Sequence, residues 1–266
     1  NYKTCYIALN STILTLYQSY VVVVGGKSQM PGRVLWIDVI RGISILAMIS
    51  FHFAFDLMYF GFAKSDLIYQ PDWRLFERMI ASSFLFIAGL SLFITHGSQI
   101  NWNSFIRRYG VTGFCAVLIS IITYLLFNND MIRFGILHAI SVSGLISLFL
   151  LKLNTFILVL LAIVIFLINL LIPQPVDGNF FWQWLIYTTE TPNSLDYRPI
   201  LPWITPFILG MASYQPIKKW GLLETSNASS HKELSILSWL GRNSLIIYLI
   251  HQPVLFAGFL LFLQIN

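Results

Sequence analysis

Long apolar runs constrain this chain more than any other feature. TFILVLLAIVIFLINLLI, residues 155–172, contains no charged residue. Several other windows of about 20 residues are nearly as apolar, the length a helix needs to cross a hydrocarbon core of roughly 30 Å. Within that core every backbone polar group must be satisfied by the protein itself, so a chain crosses as helices or as a closed barrel. The runs lack the period-two alternation of barrel strands. The fold expected is therefore all-α, a polytopic transmembrane helical bundle. The composition agrees, with 57 % apolar and only 10 % charged residues among 266, far less charge than a soluble domain carries.

About seven spans are expected from residue 35, at roughly 35–60, 75–96, 105–127, 133–151, 155–172, 199–215 and 238–264. Residues 6–24 are apolar but hold Asn10, Thr12, Thr15 and Gln18, which makes at best one weak extra N-terminal helix. Met30 precedes the first strong segment and reads as a natural start. Residues 1–32 are thus expected to be an N-terminal extension and 33–266 the transmembrane domain. Lys and Arg fall in the connections, ten on the side where the first core span begins and five on the other. That asymmetry places the start of the span in the cytoplasm. The loop 173–198 carries FFWQWLIY, an aromatic run suited to the headgroup level, and the 155–172 span reads as lipid-facing scaffold.

The net charge of +5 does not indicate nucleic acid, because the cations lie where membrane topology puts them. Cys5 and Cys115 imply no disulfide framework. No Cys/His spacing reads as a metal site, and no phosphate loop, Gly-x-Ser-x-Gly elbow or internal repeat occurs.

Against this background the first core span is anomalous. RVLWIDVIRGISILAMISFHFAFD, residues 33–56, carries Asp38, Arg41, His52 and Asp56. At 100° per residue Arg41 lies about 20° from His52, and Asp38 and Asp56 about 40° to its other side. All four share a narrow face, near Met48 and Tyr59. A charge at mid-membrane costs roughly 2.5–3.5 kcal/mol on the translocon scale, so the face should point into the bundle, towards partners or a wet cavity. Asp38 and Arg41 lie near the cytoplasmic end, where an interfacial ion pair explains them equally well. His52 is about 16 Å further along, and Asp56 follows one turn later. The i, i+4 spacing can set a carboxylate against an imidazole nitrogen, the base-plus-orienter arrangement of general-base catalysis.

Other polar groups gather near the opposite surface. RFGILHAIS, residues 133–141, places Arg133 at that surface and His138 about 8 Å deeper. SLDYRPILPWITPFILG, residues 194–210, carries Asp196 and Arg198 into a segment whose Pro199, Pro202 and Pro206 forbid a regular helix. Irregular backbone at membrane depth is tolerated where it lines a cavity. Arg74, Glu77 and Arg78 suit a local salt-bridge set, and His96 reads as a solvated terminus. In the last span, WLGRNSLIIYLIHQPVLF, Arg242 lies at the cytoplasmic end, while Ser244 and His251 share a face.

Five of these segments in order, RVLWIDVIRG…FH, FLFIAG, FGILHAIS, DYRPILPW…LG and LGRNSLIIYLIHQPV, resemble the motifs of bacterial relatives of the heparan-alpha-glucosaminide N-acetyltransferase catalytic domain. The resemblance runs from about residue 33 to 256. More distantly, the spacing from Arg41 to His52 is similar to that in integral-membrane acyltransferases that modify surface polysaccharides. The resemblance implies transfer of an acyl group, usually acetyl, from cytoplasmic acetyl-CoA to an acceptor across the membrane. It also implies that Arg33, Asp38 and Arg41 face the donor and that His52 takes part in the chemistry.

Chemistry and resemblance lead to one expectation, an enzyme of the bacterial inner membrane surrounded by lipid. Arg33, Asp38, Arg41 and Arg242, with Ser244 and His251, would hold the acyl-CoA, its anionic head on the guanidinium groups and its arm along the stripe. His52 and Asp56 would be catalytic, His52 as base or as nucleophile. Arg133, His138, Asp196 and Arg198 would meet the hydroxyl or amine of a glycan or other envelope acceptor. A transporter or flippase using the same stripe as a substrate or proton path is the competing reading. It lacks the internal inverted repeat that many transporters show. A non-catalytic scaffold leaves His52 and Asp56 unexplained.

Overall fold

The computed structural model describes residues 34–127, 130–171, 180–189, 194, 196–223 and 232–265. The expected extension 1–32, and Arg33 with it, lies outside the described residues. The helices are α1 (Leu35–Tyr59), α2 (Pro71–His96), α3 (Trp102–Phe127), α4 (Ile136–Ser147), α5 (Thr155–Leu171), α6 (Phe180–Leu185), α7 (Ile200–Ala212), α8 (Tyr214–Lys219), α9 (Lys232–Arg242) and α10 (Ser244–Ile265). A 3-10 turn, Leu67–Tyr69, precedes α2. Among the described residues the strand-like pairing is one isolated bridge between Phe134 and Tyr197.

The protein is an all-helical integral-membrane protein. Four helices, α1, α2, α3 and α10, are long and apolar enough to cross a membrane, and α4 and α5 are shorter apolar helices. The segment expected at 133–151 is regular only over Ile136–Ser147, and that expected at 199–215 only over Ile200–Ala212. Leu201 leaves helical geometry, at φ −100° and ψ 123°, in the proline-rich stretch where irregular backbone was expected. The span expected at 238–264 is broken at Asn243, so Arg242 closes α9 while Ser244 opens α10.

Local chemistry sets several of the helix ends. Pro71 opens α2, where a missing N–H is no loss and φ is already helical. Asn101 Oδ1 accepts from the Ser104 amide at 3.0 Å, and Asn154 Oδ1 from the Ile157 amide at 2.9 Å, capping α3 and α5. Gly61 turns the chain after α1 with φ of 82°, a conformation open to glycine without a Cβ clash.

Two glycine contacts draw the bundle together. A Cβ on Gly89 would lie 1.9 Å from the Phe207 carbonyl oxygen, and one on Gly210 would lie 2.0 Å from that of Phe86. Helices α2 and α7 therefore touch backbone to backbone, as small residues allow in membranes. Around them Leu85, Leu92, Phe207, Ile208 and Met211 are buried. The second contact joins α1 to α9. A Cβ on Gly42 would lie 2.1 Å from the Leu237 oxygen, and one on Gly241 1.8 Å from the Asp38 oxygen. Helix α5 rests on this core through Leu158 and Ala162 and exposes Phe156 and Leu171, the scaffold position its featureless sequence suggested.

Helices α1 and α10 run parallel. Ring contacts pair His52 with His251, Phe53 with Phe259, Phe60 with Phe256 and Phe62 with Phe262. Apart from the long reach of Phe53 to Phe259, the paired residue numbers rise together, which sets the two helices in the same direction with His52 beside His251.

Candidate active site

The polar face of α1 points inward, as its cost in lipid requires, but it is divided into separate stations. At the first, Arg41 Nη1 donates to Asp38 Oδ1 at 3.1 Å and Nη2 to Ser91 Oγ of α2 at 3.2 Å. Asp38 is buried. The Gly42–Gly241 contact brings the end of α9 against this turn. Arg242 is exposed and Ser244 half-buried. Ser83 of α2 donates to Ser44 at 2.8 Å, adding a hydroxyl pair one turn deeper.

Next comes an apolar barrier. Ile45 and Met48 lie on the same face of α1 as Arg41 and His52, yet they are 0 % and 4 % exposed and pack with Phe51 and Ile80. Ile247 and Tyr248 of α10 lean on the same cluster. The expected continuous path along the stripe is thus closed in this conformation, because these side chains fill the space between the charged station and His52.

The second station joins α1 to α10. The rings of His52 and His251 meet edge to face with centroids 4.7 Å apart. His251 Nδ1 lies 2.7 Å from the Tyr248 carbonyl oxygen; since a carbonyl only accepts, Nδ1 carries the proton. One turn outward, Gln252 Nε2 donates to Asp56 Oδ1 at 2.8 Å. Asp56 is wholly buried, and its Oδ2 has no hydrogen-bond partner among the described residues. The i, i+4 spacing of His52 and Asp56 therefore does not become a direct bond. Each reaches across to α10 instead, His52 to His251 and Asp56 to Gln252. His251, expected beside Arg242 and Ser244 at the donor site, belongs to this second station.

The third station lies beyond it. Arg198 forms ion pairs with Glu77 of α2 and with Asp196, the latter at 3.5 Å, and covers the Trp203 ring at 4.8 Å. Its guanidinium is held charged by Asp196 and Glu77, against the opposing effect of burial. Tyr248, whose carbonyl holds His251, packs on the core that contains Trp203, the ring Arg198 covers, so this cluster lies on the side of the histidine pair. Glu77 was expected to join Arg74 and Arg78; it pairs instead with a residue 121 positions away.

Asp196 and His138 also hold the backbone. Asp196 Oδ2 accepts from the Ile136 amide at 2.8 Å and caps α4. A Cβ on Gly135 would lie 2.5 Å from that oxygen, which explains the glycine. His138 Nδ1 accepts from the Gly135 amide at 3.2 Å, so its Nε2 bears the proton and faces Ser120 Oγ at 3.3 Å. The Arg133 amide donates to Ser194 Oγ at 3.4 Å, and Arg133 Nε is buried without a partner among the described residues. Tyr197 bonds the Gln183 and Ile186 carbonyls, and burial pushes its phenol up to about 12. His96, expected in solvent, is 1 % exposed and accepts from the Asn101 amide at 3.2 Å, which ties α2 to α3.

Glu77, Tyr248 and Gln252 are the site residues that sequence reasoning missed. Gln252 had a signal, a polar amide one residue from His251 and just before Pro253 in an otherwise apolar helix. For Glu77 and Tyr248 the decisive contacts are tertiary.

No curated protein and no solved structure matches this chain significantly. The sequence profile described as heparan-alpha-glucosaminide N-acetyltransferase, catalytic, matches residues 33–253, a range that holds all three stations and the helices that carry them. The matched range covers most of the chain, and on the extent of that match the chain belongs to the heparan-alpha-glucosaminide N-acetyltransferase catalytic-domain family.

Proposed function

We propose that this protein transfers an acyl group, in the first instance acetyl, from cytoplasmic acyl-CoA to a hydroxyl or amine of a glycan or other envelope acceptor on the opposite side. The observation that carries this reading is the meeting of His52 with His251 between two charged stations, within a chain whose family implies acyltransferase chemistry. In this reading α4, α5 and α7 complete a set of seven crossings, and the Arg41 end faces the cytoplasm.

The residues at that end fit an anionic nucleotide head. Arg41, half-buried, and Ser91 offer polar groups, and Arg242 stands exposed beside the glycine contact. Guanidinium groups bind phosphate with geometry as well as charge. The thioester supplies an activated carbonyl. Its arm reaches the histidines when Met48, an unbranched and adaptable side chain, swings out of the barrier. Acceptor binds at the outer cluster of Asp196, Arg198, Arg133 and His138. As it attacks, the His52–His251 pair takes its proton, and Asp56 fixes α10 through Gln252.

Purified protein in liposomes, given radiolabelled acetyl-CoA and glucosamine or other amino sugars and glycans, should yield labelled acceptor, and His52→Ala should abolish it. Arg41→Ala should raise KM for acetyl-CoA with little change in kcat. Labelled acceptor formed equally well by His52→Ala would overturn the reading.

A further inference from the structure

We infer that His251 Nε2 is the atom that removes the acceptor proton, and that His251 is a catalytic base rather than a donor-binding group. The inference deepens the transferase reading and rests on it.

Three observations meet at this ring. Its neutral tautomer is fixed, because Nδ1 donates at 2.7 Å to the Tyr248 carbonyl, which in the neutral ring leaves Nε2 with a lone pair and no proton. Nε2 is buried without a partner among the described residues, in a residue only 9 % exposed. A buried acceptor left unpaired is costly unless something else fills it. Finally, the ring sits edge to face with His52. No hydrogen bond orients His52 among the described residues, whereas His251 is aimed by its own backbone. A general base requires a bare nitrogen in a fixed direction, and of the two rings His251 has both.

The step balances. The acceptor O–H or N–H gives its proton to Nε2 while its lone pair forms the bond to the acetyl carbonyl carbon. The C–S bond breaks with its electrons on sulfur, and the imidazolium returns the proton to the departing thiolate. The products are acetylated acceptor and CoA thiol, and His251 is restored to its starting tautomer. His52 is a positioning residue, its ring set edge to face against that of His251 with centroids 4.7 Å apart.

The decisive variant is His251→Asn. Its amide nitrogen occupies the place of Nδ1 and keeps the bond to Tyr248, while Nε2 is lost. We expect kcat to fall on the order of 10²–10⁴-fold, with KM for acetyl-CoA within about threefold of wild type, and added imidazole to restore part of the activity of His251→Ala. Undiminished kcat in His251→Asn would show that the ring serves through Nδ1 alone. A raised KM with kcat retained would return His251 to donor binding. Either result overturns the inference. Nitrogen NMR of wild-type protein labelled with 15N-histidine gives a readout independent of turnover and of how the variant folds. Nδ1 should be protonated and Nε2 bare, and a protonated Nε2 ends the proposal. Absence of acetyl transfer by wild type to any acceptor would instead defeat the transferase reading, and the base with it.

Discussion

Gln252, half-buried, hydrogen-bonds the wholly buried Asp56 across the interface of two parallel membrane helices, at 2.8 Å. Among the described residues this bond is the one hydrogen bond to the side chain of a fully buried carboxylate, so Asp56 depends on Gln252. Gln252→Ala should lower stability by about 1–3 kcal/mol, the penalty for stranding a buried acceptor, seen as a lower thermal midpoint in detergent. Asp56→Asn keeps an oxygen for Gln252 and should leave the midpoint nearly unchanged. A loss in Asp56→Asn equal to that in Gln252→Ala would show that the charge contributes as much as the hydrogen bond.

Glycine substitutions should separate contact from conformation. Gly42→Ala and Gly241→Ala each drive a methyl into backbone, at 2.1 and 1.8 Å, and overpacking of this kind costs about 1–3 kcal/mol or more. Gly258→Ala meets nothing within 4 Å and should be neutral or stabilising by up to about 1 kcal/mol, since alanine is the better helix former. Thermal unfolding of the three variants side by side checks the ranking.

The Arg198 cluster should be structural as well as functional. Arg198→Ala leaves Glu77 and Asp196 facing each other's charge without their cation. Because Glu77 is about a third exposed, the loss should be about 2–3 kcal/mol, below the range for a fully buried pair. Arg198→Lys should recover only part of it, because Lys lacks the planar fork and the stacking on Trp203. A double-mutant cycle with Glu77→Gln measures the coupling.

Met48 should trade stability against donor access. Met48→Ala empties the barrier and should cost about 2–5 kcal/mol, while acetyl transfer per folded molecule is kept or raised. Met48→Phe should slow transfer. Faster transfer by the bulkier variant would mean the donor arm takes another route.

Alkaline pH should expose Tyr197. Its phenol is raised to about 12 by burial, whereas an unfolded tyrosine ionises near 10. The contribution is fully present below about pH 10 and is lost as pH climbs towards 12, because the unfolded chain releases its proton first. The thermal midpoint of wild type should fall across that window more than that of Tyr197→Phe.

Much of the fold was legible because hydrophobic length and helical period are local properties. The inward face of α1 follows from the cost of charge in lipid, and the irregular start of α7 from its prolines. Pairings across the bundle were not legible. Glu77 has two basic neighbours at helical spacing, yet Arg198 outcompetes them because packing brings it to a less solvated place. His138 and Asp196 read as ligands for an acceptor, and both also bind backbone amides at the start of α4. Sequence cannot distinguish the two uses of the same hydrogen-bonding group. Spacing placed Asp56 beside His52, but side chains on α1 found α10 closer than each other.

The bond that sets the tautomer of His251 runs to a carbonyl three residues back on the same helix. Under the proposed mechanism, passage of a substrate past Met48 would require neighbouring spans to breathe, and such movement would disturb any aim that depended on a second helix. In the proposed mechanism an imidazole steadied by its own span would keep its bearing through each opening and closing, so the machinery for moving a proton would survive the very motion that admits the reactants.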